Sequence, residues 1–134
     1  DLATLPALIR GAGSGFYVVP ERSLDAWLKV AQTCYDALLH DQWSVYVSTF
    51  DKLDQEQADR YADCRMYWNA VRRTIEKNDV VEFRFKSINP YCSSRACRKL
   101  MFQRIDDDGK QVGIDTAIML VLEDGEWKID SVSP

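Results

Sequence analysis

The chain has no long apolar run. The longest, Ala117 to Leu122, is the length of one strand, far short of the roughly 20 residues a membrane-spanning helix needs. No integral membrane segment is expected. It also has no surplus of positive charge: 17 Lys and Arg stand against 21 Asp and Glu, a net charge of -4. Phosphate backbones are held by basic surfaces, so nucleic acid is not an expected partner. Histidine is almost missing, His40 being the only one. The cysteines, Cys34, Cys64, Cys92 and Cys97, include no CxxC pair. Zinc sites are built from Cys and His at close spacing, so no metal is expected, and no cofactor either. No recognisable catalytic motif, internal repeat or low-complexity tract is present.

The 134 residues suit one domain with one core. Residues 1–22 read as a lead-in or the remnant of a tether. Gly11-Ala12-Gly13-Ser14-Gly15 is flexible in composition, the apolar patch Phe16-Tyr17-Val18-Val19 follows, and Pro20 breaks the chain. A start at Asp1 without Met is expected of a processed or trimmed chain. The domain proper is expected over 23–134.

Its first half has helical periodicity. Ser23 can cap a helix whose stripe is Leu24, Trp27, Leu28, Ala31, Tyr35 and Leu38. His40-Asp41 marks the end, and Trp43, Val47 and Phe50 predict a short second helix. A third opens at Leu53 or Asp54, with Ala58, Tyr61, Cys64, Trp68, Val71 and Ile75 as its stripe, and stops at Asn78-Asp79.

The second half changes to a period of two. Val81, Phe83 and Phe85 alternate with charged residues, and Leu100 to Ile105 is a second strand. Gly109 ends the Asp106-Asp107-Asp108 turn. Val112, Ile114, Thr116, Ile118, Leu120 and Leu122 predict one face of a long third strand. Asp124-Gly125 is a hairpin signal, and Trp127 and Ile129 belong to the last strand. Helices followed by antiparallel strands make an α+β class.

An even number of cysteines in a short chain fits two disulfides, worth about 2–4 kcal/mol each. Cys34 and Cys64 each lie on or beside the apolar stripe of a long helix, so a Cys34–Cys64 bridge is the preferred pairing, with Cys92–Cys97 closing a short loop. Disulfides imply the periplasm or secretion. The plainer alternative is four reduced, buried thiols packed as small apolar groups.

The order of elements from Trp27 to Trp43, and the ending Leu122-Glu123-Asp124-Gly125-Glu126-Trp127-Lys128-Ile129, resemble the NTF2-like superfamily over residues 23–134. In style the chain is closest to small exported bacterial members of unknown role. The resemblance implies a cone: N-terminal helices packed on a curved antiparallel sheet, around a pocket that in catalytic members holds an Asp, a His–Asp pair or a Tyr. Here Asp115 as a base of raised pKa and Tyr35 as a hydrogen-bond donor are the candidate catalytic pair, for proton abstraction beside a carbonyl. Against this, Asp115 lies on the less apolar face of its strand and Tyr35 fits the helix stripe as a core residue.

Arg72 and Arg73 add to the basic share of the third helix, while Arg95, Arg98, Lys99 and Arg104 form a basic cluster around the cysteine loop. They are candidates for docking an acidic partner surface, or ordinary cations that discourage edge pairing. Tyr67 falls off the helix stripe and is a candidate exposed contact. The expected function is a non-catalytic, exported binding domain acting through protein–protein contact at the sheet's open face, as an accessory of an envelope machine or an inhibitor or immunity-type partner. A homodimer fits the same reading. The alternative is a small-molecule binder or a lyase or isomerase using the cone's interior.

Overall fold

The computed structural model describes residues 21–56, 63–90 and 97–134. Helix α1 spans Glu21–Leu39, followed by α2 (Trp43–Ser48), α3 (Lys52–Glu56) and α4 (Asp63–Asn78). Strands β1 (Val80–Asn89), β2 (Cys97–Asp106), β3 (Thr116–Glu123) and β4 (Glu126–Val132) form one antiparallel meander in the order β1-β2-β3-β4. The helices cover one face of this sheet. Trp27, Ala31, Tyr35 and Leu38 of α1 and Trp68, Val71 and Ile75 of α4 share a core with Phe83, Leu100, Phe102, Ile118, Leu120 and Ile129.

The stripe of α1 is the expected one, but the helix begins at Glu21, so Ser23 lies inside it and is not its cap. It ends where expected. Asp41 has a left-handed backbone (φ 57°), and the His40 amide donates to Asp36 O. Asp79 closes α4 in the same way, at φ 54°. Ala58, Tyr61 and the lead-in 1–20 lie outside the described residues.

A clasp joins the two long helices. Arg72 Nη1 of α4 donates to Leu38 O at 2.7 Å and Leu39 O at 3.4 Å, satisfying carbonyls that the end of α1 leaves without helical partners. Glu76 holds the same guanidinium at 2.9 Å. Arg72 was expected to add to the basic share of the third helix; its charge is spent on the fold instead.

Two strands differ from their simple alternation. A bulge between Val80 and Glu82 turns Val81 outward, where it is 57% exposed, and buries Val80. The third strand starts at Thr116, not Val112, because Gly113 takes φ 65° and bends the chain away from the sheet. Ile114 is consequently 83% exposed. The hairpin at Asp124-Gly125 forms as expected, with both residues at positive φ. Segment 49–51 pairs with β4 through Ile129, which covers part of that edge.

Replacing Arg72 by Met is expected to lower the unfolding free energy by about 2 kcal/mol, the scale of charged hydrogen bonds to buried carbonyls. Urea titration measures it. A loss below roughly 0.5 kcal/mol would mean the clasp does not secure the end of α1.

Candidate functional site

Strand β2 organises both surfaces on which a site could be built. Side chains alternate across a strand, so Arg98, Leu100, Phe102 and Arg104 point to the helices while Lys99, Met101 and Gln103 point away. The expected basic cluster is therefore split. Arg98 and Arg104 are each 8% exposed. Lys99 is half-buried on the opposite face, and Arg95 lies outside the described residues. The parity of positions 98, 99 and 104 separates them, so β2 presents no single basic surface to an acidic partner.

The two inward arginines do structural work. Arg98 packs its guanidinium against Trp27 at 4.9 Å and Trp127 at 5.3 Å, and these two rings meet edge-on at 5.6 Å. Its Nη1 also donates to Cys97 O at 2.6 Å. Delocalised charge lying on aromatic faces is how a guanidinium tolerates burial. Arg104 gathers the far end. It donates to Val112 O at 3.3 Å, to Ile114 O at 3.1 Å and to Pro134 O. These bonds hold the bend at Gly113 and the last residue against the sheet. Pairing Arg98 with Trp27 and Trp127 was not foreseen; the only sequence signal was an arginine on the same strand face as Leu100 and Phe102.

Between these arginines the described aromatic side chains pack on one another. Tyr35 lies flat on Phe83 with ring centroids 4.1 Å apart and meets Phe102 at 4.7 Å. Phe85 reaches Phe102 at 5.7 Å. Tyr35 and Phe102 are fully buried. The Tyr35 hydroxyl has no hydrogen-bond partner, and burial raises its pKa far above that of a free phenol.

Asp115 is elsewhere, on the outer side just before β3. Lys86 Nζ sits 2.6 Å from Asp115 Oδ2, and Gln111 Nε2 donates to Oδ1 at 2.8 Å. Gln111 in turn accepts from Gln103 Nε2 at 3.0 Å. The Lys86 hydrogen bond, with help from Gln111, holds the Asp115 carboxyl below its usual range. The expected raised pKa is thus reversed in sign.

The outer face of the sheet carries an apolar centre. Lys99 pairs with Met119 and Met101 with Ala117 across β2 and β3, and Val121 continues the row. Met101, Ala117, Met119 and Val121 are all half-buried. Around them are salt bridges of both signs: Arg84 to Glu82 at 3.0 Å, Lys86 to Asp115 at 2.6 Å and Lys128 to Glu126 at 3.5 Å. Met101 had not been assigned to this surface; its alternation with Leu100 and Phe102 was the available signal.

This arrangement of helices and meander has relatives among solved structures. A proposed NTF2-like transpeptidase from Campylobacter jejuni superposes with a TM-score of 0.56 at 10% identity, over 75% of this chain and 94% of that one. An NTF2-like protein of unknown function from Shewanella oneidensis gives 0.51 at 11% identity, over 82% and 96%. A SEC-C motif containing protein from Rhodopseudomonas palustris gives 0.50 at 14% identity, over 94% and 84%. The fold is NTF2-like. No family model and no curated protein matches the sequence. At such identities the likeness carries the fold and not the chemistry.

Within the NTF2-like frame the expected catalytic pair does not form. Tyr35 is sealed in the core on the inner side of the sheet, and Asp115 is ion-paired on its outer side. Tyr67 is half-buried and packs against the core, whereas its neighbour Met66 is 60% exposed. Among the described residues, the one cluster of acids close enough to share a cation is Asp106, Asp107 and Asp108. Asp106 Oδ1 already accepts from the amides of Asp108 and Lys110, which is ordinary turn chemistry.

The cysteines also differ from expectation. Cys34 on α1 and Cys64 on α4 are fully buried, unbonded thiols rather than a disulfide. The two helices do pack together, but the sulfurs are not at bonding distance. Burial is the main cause that raises both pKa values, with Cys64 pushed up to about 12. Cys97 is likewise buried and not in a disulfide, so the expected Cys92–Cys97 bridge is not formed; Cys92 itself lies outside the described residues. The expectation of a periplasmic or secreted location rested on disulfides and loses that support from Cys34 and Cys64.

Two outcomes test this description. Tyr35→Phe removes an unpartnered buried hydroxyl and is expected to leave stability unchanged or raise it by up to about 1 kcal/mol. A loss of more than roughly 1 kcal/mol in chemical denaturation would mean the hydroxyl has a partner. The thiols predict a pH dependence of opposite sense to a carboxylate's. Their folded pKa values exceed the ordinary 9.0, so above that pH the unfolded chain loses protons that the folded chain keeps. Stability is therefore complete below pH 9.0 and falls as pH rises. Urea midpoints at about pH 8 and about pH 10 should diverge less in a Cys34→Ala, Cys64→Ala double variant. Equal slopes in the two proteins would contradict the buried-thiol state.

Proposed function

We propose that this is a non-catalytic NTF2-like domain that works through protein–protein contact, with the outer face of the sheet as the contact surface. The observation that carries this reading is the contrast between the sheet's two faces. Its inner face is occupied by Tyr35, Phe83, Leu100 and Phe102, whereas its outer face keeps Met101, Ala117, Met119 and Val121 partly open to water. An apolar centre within a charged rim is the usual anatomy of an interface. The rim contains both signs, with Arg84, Lys86 and Lys128 each beside an acid. Such a rim suits a surface like itself better than an acidic one, and a two-fold pairing of two copies needs only self-complementarity.

A catalytic role would need a reactive group open to substrate. Tyr35 is buried with a raised pKa, Cys34 and Cys64 are buried with raised pKa values, and Asp115 is neutralised by Lys86. The transpeptidase name belongs to the Campylobacter protein and gains no support from these residues. An exported setting has no disulfide behind it, since none of Cys34, Cys64 and Cys97 is in one, and a thiol count on the unfolded chain tests it.

Analytical ultracentrifugation over about 1–100 µM tests the contact surface. Self-association is expected, and Met119→Lys is expected to weaken it by tenfold or more, roughly 1.4 kcal/mol. A monomer across the whole range, or a variant that associates as well as the parent, would overturn the proposal.

A further inference from the structure

A second surface lies away from the sheet's outer face. Ala70, Arg73, Thr74, Lys77 and Asn78 recur at intervals of three and four along α4, so they form one stripe on the helix. The opposite side of α4, with Cys64, Trp68, Val71 and Ile75, is buried in the core. Between the stripe and Pro134 runs a groove of about 490 Å³. Its wall at Pro134 is not loose. Arg104 donates to Pro134 O, Thr116 Oγ1 donates to Ser133 O at 3.0 Å, and the Ser133 amide donates to Ala117 O at 3.0 Å.

The chemistry of the groove is set by its cations. Arg73 and Lys77 stand one turn apart and are exposed, and neither forms a salt bridge among the described residues. Their neighbours are different. Arg72 is tied to Glu76 and the end of α1, Arg84 to Glu82, Lys86 to Asp115 and Lys128 to Glu126. Like charges one turn apart disfavour a helix, and the negative end of the α4 dipole offsets this only for the last turn, where Lys77 lies. Thr74 Oγ1 is occupied by Ala70 O at 3.3 Å and Asn78 Nδ2 by Thr74 O at 3.0 Å. The groove's charged donors are therefore the two cations. The nearby acids Asp79 and Asp107 meet through a backbone bond, Asp107 N to Asp79 O at 3.1 Å, and do not pair with either cation.

We propose that this groove binds an acidic peptide segment of a partner protein, with side-chain carboxylates engaging Arg73 and Lys77 while its backbone lies along the α4 stripe against Pro134. Charge complementarity selects this occupant. Two carboxylates on one extended segment match two cations that stand one turn apart on the same stripe. The site is separate from the sheet face, so it stands or falls independently of self-association.

The test uses the full chain and a fluorescein-labelled peptide of ten residues rich in Glu and Asp. Fluorescence polarisation is expected to show saturable binding that weakens as salt is raised. Amide chemical-shift changes are expected at residues 70–78 and at Ser133. In an Arg73→Glu, Lys77→Glu double variant, affinity is expected to fall by about tenfold or more, while a Lys29→Glu, Lys110→Glu control keeps the parent affinity. Circular dichroism confirms that both variants fold; should the double variant fail, Arg73→Gln and Lys77→Gln singly are each expected to weaken binding. The proposal is overturned by absence of binding, by shifts confined to another surface, or by equal affinity in the double variant. It is also overturned if inorganic phosphate produces the shifts at residues 70–78 and the peptide does not, because the groove then takes a small anion.

Discussion

The structure depends on the contact between Tyr35 and Phe83. Their rings lie 4.1 Å apart and nearly parallel, and Phe102 closes the edge. That contact holds α1 to β1, as the Trp27–Trp127 contact holds α1 to β4. The Tyr35–Phe83 contact puts two large rings on the inner face of the sheet. Stacked and edge-on aromatic pairs add to the burial of large apolar surfaces, so the interior is stabilised by the groups that close it. The unpartnered Tyr35 hydroxyl is the polar cost of using tyrosine at a position where the ring is what matters.

Charge in this protein is placed by strand parity more than by sequence neighbourhood. Arg98 and Arg104 share a face with Leu100 and Phe102, and Lys99 does not. A cluster that looks continuous along the chain becomes two buried structural arginines and one outer lysine. Arg98 spends its charge on two tryptophans, Arg104 on three carbonyls, and Arg72 on the end of α1. Arg73 and Lys77 are set apart by their place, one turn apart on the helix stripe that borders the groove.

Much of the fold was legible in advance. The α1 and α4 stripes, the left-handed stops at Asp41 and Asp79, and the Asp124-Gly125 hairpin are local features written in residue type and spacing. The misplacements were also local in origin. Val81 turned outward because of a bulge that no single residue announces, and Ile114 left the strand because Gly113 bends the backbone. The candidate site was hardly legible. Tyr35 was correctly seen as fitting the core stripe, yet its role depended on what faced it across the sheet. For Asp115, the deciding neighbours were Lys86, distant in sequence, and Gln111.

By itself, the sequence determined the class of the molecule: helices before strands, an antiparallel meander, no helix long and apolar enough to span a membrane, and which residues form each apolar stripe. Periodicity and turn chemistry act within a few residues, so they can be read from the chain directly. Only the tertiary structure decided that Tyr35 stacks on Phe83, that Cys34 and Cys64 are separate buried thiols, that Asp115 is an ion-paired outer residue, and that Arg73 and Lys77 border a groove. Each of these turns on distances between elements far apart in sequence. A pKa, a salt bridge or a cavity exists only once packing has set those distances.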